Sequence, residues 1–235
     1  MQVEQNVNVE SILPLQVNKN YRIYSKYIKR SLDISFSLVG IVITAPVMLL
    51  IAIMIKISSP GPVFYRGIRT GRFEKPFKII KFRSMVANAE DIGGGTTALN
   101  DRRITRIGHF LRKTKLDEIP QLVNVLLGEM SFIGPRPELQ RYTDLYDQDE
   151  KVILTVRPGI TDLSSIMFIS LDEIVGAINP DEIYEKVVLS RKNKMRIDYV
   201  NGQSFALDTK ILLATVWKVI SRDILMIFGQ KSKGE

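Results

Sequence analysis

The chain has 235 residues, 45% of them hydrophobic and 25% charged, a balance that suits a folded domain with extensions and excludes a disordered chain. Lys and Arg number 33 against 25 Asp and Glu, giving +8, which suits nucleic acid, anionic lipid or phosphorylated substrates without choosing among them. With no cysteine and one histidine, His109, disulfides and thiolate zinc sites are excluded and a histidine-based triad has little to build on, so any acid, base or nucleophile is expected to be a carboxylate, a Lys or a Tyr.

Residues 1–20 are polar with scattered Val, Ile and Leu, and read as a tail. No signal peptide is expected, because the apolar run begins late and no small-residue cleavage site follows it. That run, Ile34 to Ile57, carries a single charge, Lys56. At ~1.5 Å per residue its length can reach across a hydrocarbon core of ~30 Å. A membrane segment over 21–60 is therefore expected, with a buried core helix as the plain alternative. Basic residues stand on both sides: Arg22, Lys26, Lys29 and Arg30 before, Lys56, Arg66 and Arg69 and others after. Positive flanks favour the cytoplasmic side, here for both ends. Pro46, mid-run, removes a helical hydrogen bond and can bend the helix. The two features favour a re-entrant hairpin, while a kinked single span stays open.

Ser58-Ser59-Pro60-Gly61-Pro62 is a stiff exit loop. Val63-Phe64-Tyr65 and Phe77 to Phe82 read as strands, and Gly93-Gly94-Gly95 as a loop without the context of a dinucleotide fingerprint or P-loop. Residues 104–127 and 181–200 read as helical. A last helix, about Phe205 to Phe228, is amphipathic and carries Trp217. It fits a membrane surface or a face packed on the core. The whole is expected to be α/β, mostly helical: a membrane hairpin, a compact catalytic domain over 61–235 and interfacial amphipathic helices.

The stretch from Arg112 to Pro137 is densest in chemistry. Pro120 fits a helix's first turn and Gly128 its stop. Asp117 and Glu118 then stand at the helix N-terminus, where the dipole favours negative charge and is expected to keep Asp117 ionised. Arg112, Lys113 and Lys115 lie just upstream and can offset repulsion between a carboxylate and a diphosphate. Ordinary helix capping and a solvated basic face explain the same residues. In Gly134-Pro135-Arg136-Pro137, two prolines restrict the backbone around a guanidinium suited to phosphate, or simply make a rigid turn.

In chain order, several segments resemble the bacterial sugar transferase family, the monotopic phosphoglycosyl transferases. They include Lys29-Arg30 with Asp33, Ser59-Pro60-Gly61-Pro62-Val63, Arg69 with Gly71, and Lys81-Phe82-Arg83-Ser84-Met85. Further on come Asp101 with Arg103-Ile104-Thr105, Leu116-Asp117-Glu118-Ile119-Pro120-Gln121, Gly128-Glu129-Met130-Ser131, Gly134 to Glu138, and Pro158-Gly159-Ile160-Thr161. The resemblance runs from about Lys29 to Thr215.

It implies that Asp117 attacks the sugar-bearing phosphate of a UDP-sugar, releasing UMP, and that polyprenyl phosphate then takes the phosphosugar from Asp117. It implies Mg²⁺ near Asp117 and Glu118, with Glu118 assisting the second step or holding the metal. Lys81, Arg83, Arg103 and Arg112 are candidates for phosphate contacts, Arg136 for the nucleotide end, and Gln121 for substrate binding. It implies residence at the inner face of the bacterial cytoplasmic membrane, with the catalytic domain in the cytoplasm. A homodimer fits but is not required. Nucleic acid is not expected, since that reading leaves the Asp-Glu dyad idle and matches no known module. Three residues depart from the family pattern: Asp162 where Gly is frequent, a region that bears on sugar choice, Arg102 where Pro is usual, and Lys115 where a small hydroxyl residue is common.

Overall fold

The computed structural model describes residues 23–229; the expected tail over 1–20 lies outside them. A π-helical turn, Tyr24–Ile28, leads into helix α1, Lys29–Ser58, which runs unbroken through Pro46. At ~1.5 Å rise per residue it is ~45 Å long. Most of its apolar stretch is unburied, which removes the core-helix alternative; Val42, Ile43, Leu49, Leu50 and Ile57 are all exposed.

Both ends of α1 dock on the same globular body. At the N-terminal end Lys29 and the Tyr24 hydroxyl both donate to Asp208 Oδ2, and Asp33 Oδ1 accepts from Ser131 Oγ and Phe132 N, each at 3.1 Å. At the other end Ile51 and Ile55 pack with Phe82 and Leu111.

The two expected strands form a hairpin, β1 (Phe64–Thr70) and β2 (Pro76–Phe82), antiparallel with Phe64 opposite Phe82. The helical reading of 104–127 resolves into two helices, α2 (Arg106–Lys113) and α3 (Gln121–Leu127), separated by a 3-10 turn, Leu116–Glu118. Thr105 caps α2 by accepting from Gly108 N. Lys115 breaks the run by taking a left-handed backbone, φ 58°, a conformation costly for a side-chain-bearing residue. Pro120 and Gly128 bracket α3 as expected, Gly128 with φ 88°. Arg30 from α1 donates to the Val125 and Leu126 carbonyls at its C-terminal end, where a cation is favoured. Asn124 ties α3 to β2 by accepting from Ile80 N and donating to Lys78 O.

Beyond α3 a short parallel pair, β3 (Ser131–Ile133) and β4 (Gly159–Thr161), sets Ser131 opposite Gly159. A Cβ on Gly159 would lie 2.2 Å from Gly134 N, so only glycine lets these two loops meet. Residues 181–200 are helical as expected, ending in α4, Ser190–Gly202. The last helix, α5, is Phe205–Gly229. Its Leu207 and Ile211 pack on the core with Tyr199 and Val200, while Leu213, Val216 and Trp217 are exposed. Core packing and an exposed apolar face thus both occur on this one helix.

Candidate active site

An open cleft of about 1790 Å³ runs across the body, larger than the ~300–1,000 Å³ of a typical ligand pocket. Asp117 and Glu118 lie on it, carried by the 3-10 turn between α2 and α3. Lys81 reaches them from β2, Arg112 from α2, and Arg136 from the loop after β3.

Glu118 is fully engaged. Arg136 grips it with both terminal nitrogens, Nη1 at 3.1 Å from Oε2 and Nη2 on Oε1, and Lys81 Nζ donates to Oε1 at 3.2 Å. Burial opposes its charge, but Arg136 and Lys81 outweigh that and hold the carboxyl well below the usual range. The same burial brings Lys81 down to about 8, against the pull of Glu118.

Asp117 is the reverse. It is 7% exposed, and its Oδ1 has no hydrogen-bond partner among the described residues. Burial, then the charge of Glu118, push its carboxyl above the usual range, while Lys81, Arg112 and Lys115 pull it back. Desolvation and the like charge one residue away thus work against the effect expected of the helix N-terminus on Asp117, and the neighbouring cations work with it. The pair is thus polarised, with one carboxylate held charged by a clamp and the other keeping an oxygen that no described residue engages.

The remaining candidates divide. Arg112 lines the cleft, donating to Ser84 Oγ at 2.8 Å and Thr97 Oγ1 at 2.9 Å. Arg83 and Arg103 also line it and bind the frame, although Arg83 Nε is buried and has no hydrogen-bond partner among the described residues. Arg83 binds Pro60 O at 2.7 Å and Ser59 O at 2.9 Å, holding the exit loop of α1. Arg103 pairs with Asp101 at 2.7 Å and donates to Gly94 O and Thr96 O. Gln121 is fully buried, neither amide atom finds a partner among the described residues, and it does not line the cleft.

Behind the clamp lies a buried network that the sequence reading missed. Asp162 accepts from Arg136 N at 3.0 Å and from Ser165 N at 2.6 Å. Arg196, 1% exposed, sets Nε 3.5 Å from Asp162 Oδ2 and donates Nη2 to Glu138 Oε1 at 2.7 Å. One guanidinium from α4 therefore holds both ends of the Arg136-Pro137-Glu138 segment. Asp162, noted only as a departure from the family pattern, is the link.

No group of three or more His, Cys, Asp or Glu set to hold a metal occurs among the described residues. Mg²⁺ does not require one, since it keeps waters and takes substrate phosphate oxygens beside one or two carboxylates. The unpartnered Asp117 oxygen fits that role; Glu118, both oxygens taken, fits it only if Arg136 or Lys81 lets go.

A model of the family described as bacterial sugar transferase matches residues 24–222. A UDP-N-acetylgalactosamine-undecaprenyl-phosphate N-acetylgalactosaminephosphotransferase of Aeromonas hydrophila is 41% identical over 60% of this chain and 34% of its own. A putative undecaprenyl-phosphate N-acetylgalactosaminyl 1-phosphate transferase of Bacillus subtilis is 40% identical over 63% of this chain and 86% of its own. A UDP-glucose:undecaprenyl-phosphate glucose-1-phosphate transferase of Escherichia coli is 36% identical over 83% of this chain and 40% of its own. The match thus spans about a third to two fifths of the two longer relatives and most of the compact one. With nearly the whole described body covered, dyad included, the chain belongs to the bacterial sugar transferase family.

Proposed function

We propose that this protein moves a sugar 1-phosphate from a UDP-sugar to a polyprenyl phosphate at a membrane surface. The observation that carries the reading is the Asp117 oxygen that has no partner among the described residues, in a basic cleft beside a carboxylate already neutralised by Arg136 and Lys81.

In the first step an ionised Asp117 oxygen bonds to the sugar-bearing phosphorus. The bond from that phosphorus to the bridging oxygen breaks, and UMP leaves with the electron pair. In the second step an oxygen of the polyprenyl phosphate bonds to the same phosphorus and Asp117 leaves as carboxylate, so the cycle closes without a net proton. Lys81 and Arg112 supply positive charge where the diphosphate arrives, which also favours the ionised form of Asp117. Mg²⁺ held at Asp117 and the phosphates would add Lewis-acid stabilisation of phosphate charge. Glu118, fixed by its clamp, holds Lys81 and Arg136 in place.

Three observations support a membrane seat. The exposed apolar face of α1 and the exposed Leu213, Val216 and Trp217 on α5 suit lipid. Basic residues flank α1 on both sides, which suits a cytoplasmic location for both ends. Both ends dock on one body, which suits a helix whose two ends stay on one side of the membrane.

The test is UMP release from a panel of UDP-sugars by detergent-solubilised protein with Mg²⁺ and undecaprenyl phosphate, beside Asp117→Asn. Release that vanishes in the variant, with a phosphosugar found on Asp117 by mass spectrometry, is expected. Turnover persisting in Asp117→Asn sinks the nucleophile assignment.

A further inference from the structure

Lys192 is a buried cation that the proposed mechanism leaves unused. It is 5% exposed, yet it lines the same cleft as Asp117 and Arg136. No carboxylate lies within ion-pair distance of it among the described residues. Among the described residues its side chain makes one hydrogen bond, a long one of 3.4 Å to the Tyr184 hydroxyl. Glu138, the nearest acidic influence, is already occupied by Arg196 and by Tyr184. Burying an ammonium without a partner is costly. Two ring faces offset part of that cost: Nζ lies 4.9 Å from the Tyr184 centroid and 5.8 Å from that of Phe168.

A second polar group on this cleft is also unsatisfied. Ser165 Oγ is buried, with Asp162 as its neighbouring acceptor, and makes no hydrogen bond within ordinary distance and angle limits among the described residues. Ser165 and Phe168 belong to the segment that begins at Asp162, and this segment packs on α4, which carries Lys192. A cation, a hydroxyl and two aromatic faces thus gather on the cleft, and Lys192 is close enough to Arg136 for their charges to interact.

We propose that Lys192 and Ser165 form a second polar subsite, which takes an anionic or oxygen-rich group of the donor beyond its reacting phosphate. This rests on the donor being a UDP-sugar. The donor carries such groups at either end, a nucleoside phosphate on one side and sugar hydroxyls or an acyl carbonyl on the other. Lys192 has two donors beside the one it gives to Tyr184, and Ser165 has one. The ligand completes what the protein leaves open, so its binding relieves an existing desolvation penalty.

The experiment compares the full chain with Lys192→Met and Ser165→Ala. Binding of UMP, UDP-glucose and UDP-N-acetylgalactosamine is followed by calorimetry in detergent, with UMP release and thermal midpoint measured alongside. Methionine keeps the buried stem and removes the charge, so the midpoint is expected to hold or rise. The expected result is a loss in donor affinity of about tenfold or more for Lys192→Met, in the range of a lost hydrogen bond to a charged group, and a smaller loss for Ser165→Ala. If UMP weakens in parallel, the nucleotide end occupies the subsite; if only the UDP-sugars weaken, the sugar end does. Either supports the inference. Donor affinity unchanged in both variants overturns it, and so does wild-type protein that binds none of the three. Wild-type protein that binds donor but releases no UMP defeats the transfer reading instead, and the subsite then stands or falls on the affinity ratio. If Lys192→Met does not fold, Ser165→Ala and Lys192→Arg carry the same comparison.

Discussion

Removing the Arg136 clamp should change the protonation of the carboxylate pair in a direction that can be worked out beforehand. Arg136 Nη1 lies 3.1 Å from Glu118 Oε2 and Nη2 holds the other oxygen. At ~3 Å and an effective dielectric of ~20, that attraction is on the order of 5 kcal/mol. Deleting one partner of a buried pair costs ~3–5 kcal/mol. At ~1.4 kcal/mol per pH unit, about two units or more of that should fall on the ionisation of the pair. On the proposed reading the working form has both carboxylates ionised, so the acid limb of the rate profile reports the second proton lost from the dyad. Arg136→Met takes away a neighbouring cation and moves this limb up. Glu118→Gln takes away a neighbouring anion and moves it down, because only Asp117 then titrates. Activity at neutral pH should fall on the order of 100-fold in Arg136→Met, the scale of a misplaced reacting group. The assay is UMP release between pH 5 and 9 under first-order conditions. Limbs that stay put, or that move the same way in both variants, refute the clamp as the cause of the polarised pair.

Asp162→Ala should lower unfolding free energy by about 3–5 kcal/mol, since it strands Arg136 N–H and Ser165 N–H and takes from Arg196 one of the two carboxylates that meet it among the described residues; a loss under ~1 kcal/mol in denaturant melts would deny the network its role. Asp101 is held down to about 2, chiefly by its hydrogen bond from Arg103. A depressed carboxyl adds stability above its unfolded pKa of ~3.9, lost as pH falls through the folded value. After allowance for solvent screening this is about 1–2 kcal/mol, so the stability gap between wild type and Asp101→Asn should be constant above pH ~5 and shrink towards pH ~2. A gap that does not shrink removes the ion pair as its source.

What the sequence made legible was local. The apolar run gave α1, Pro120 and Gly128 bracketed α3, and the adjacent Asp117 and Glu118 marked the dyad. What it hid was long-range. Ser-Arg-Lys-Asn-Lys-Met-Arg, which opens α4, is basic and carries no local sign of burial, yet Arg196 is buried because Glu138 and Asp162 from distant loops meet it, and Lys192 is buried against the Tyr184 and Phe168 rings. Arg83 and Arg103 read as candidate phosphate ligands because cations have a sequence signature, whereas the carbonyls of Ser59, Pro60 and Gly94 that accept from them have none, so their bonds to the frame were not legible. The break at Lys115 was invisible for a similar reason. No glycine announces its left-handed backbone, which the flanking elements impose.

The seat of α1 permits a last prediction. A helix of ~45 Å that crossed a bilayer would put its two ends on opposite sides, where one globular body cannot hold both. Here both are held with buried partners, Lys29 on Asp208 at one end and Ile51 and Ile55 against Phe82 and Leu111 at the other. Spanning would require giving up one set. Breaking the buried ion pair costs ~3–5 kcal/mol, and undocking the two isoleucines costs ~1.5–3 kcal/mol for each if water meets them. Lipid would receive the isoleucines at little cost, so the polar end is the firmer anchor and the re-entrant arrangement depends on it. The chain has no cysteine, so single substitutions report cleanly. Ile23→Cys and Ile57→Cys, both at exposed positions, should react with an impermeant reagent from the same side of sealed vesicles. Lys29→Met should weaken that pattern more than Ile55→Ala. Opposite-side labelling of the two cysteines in the otherwise unaltered chain would show that α1 spans and that one of the two dockings is absent in the membrane.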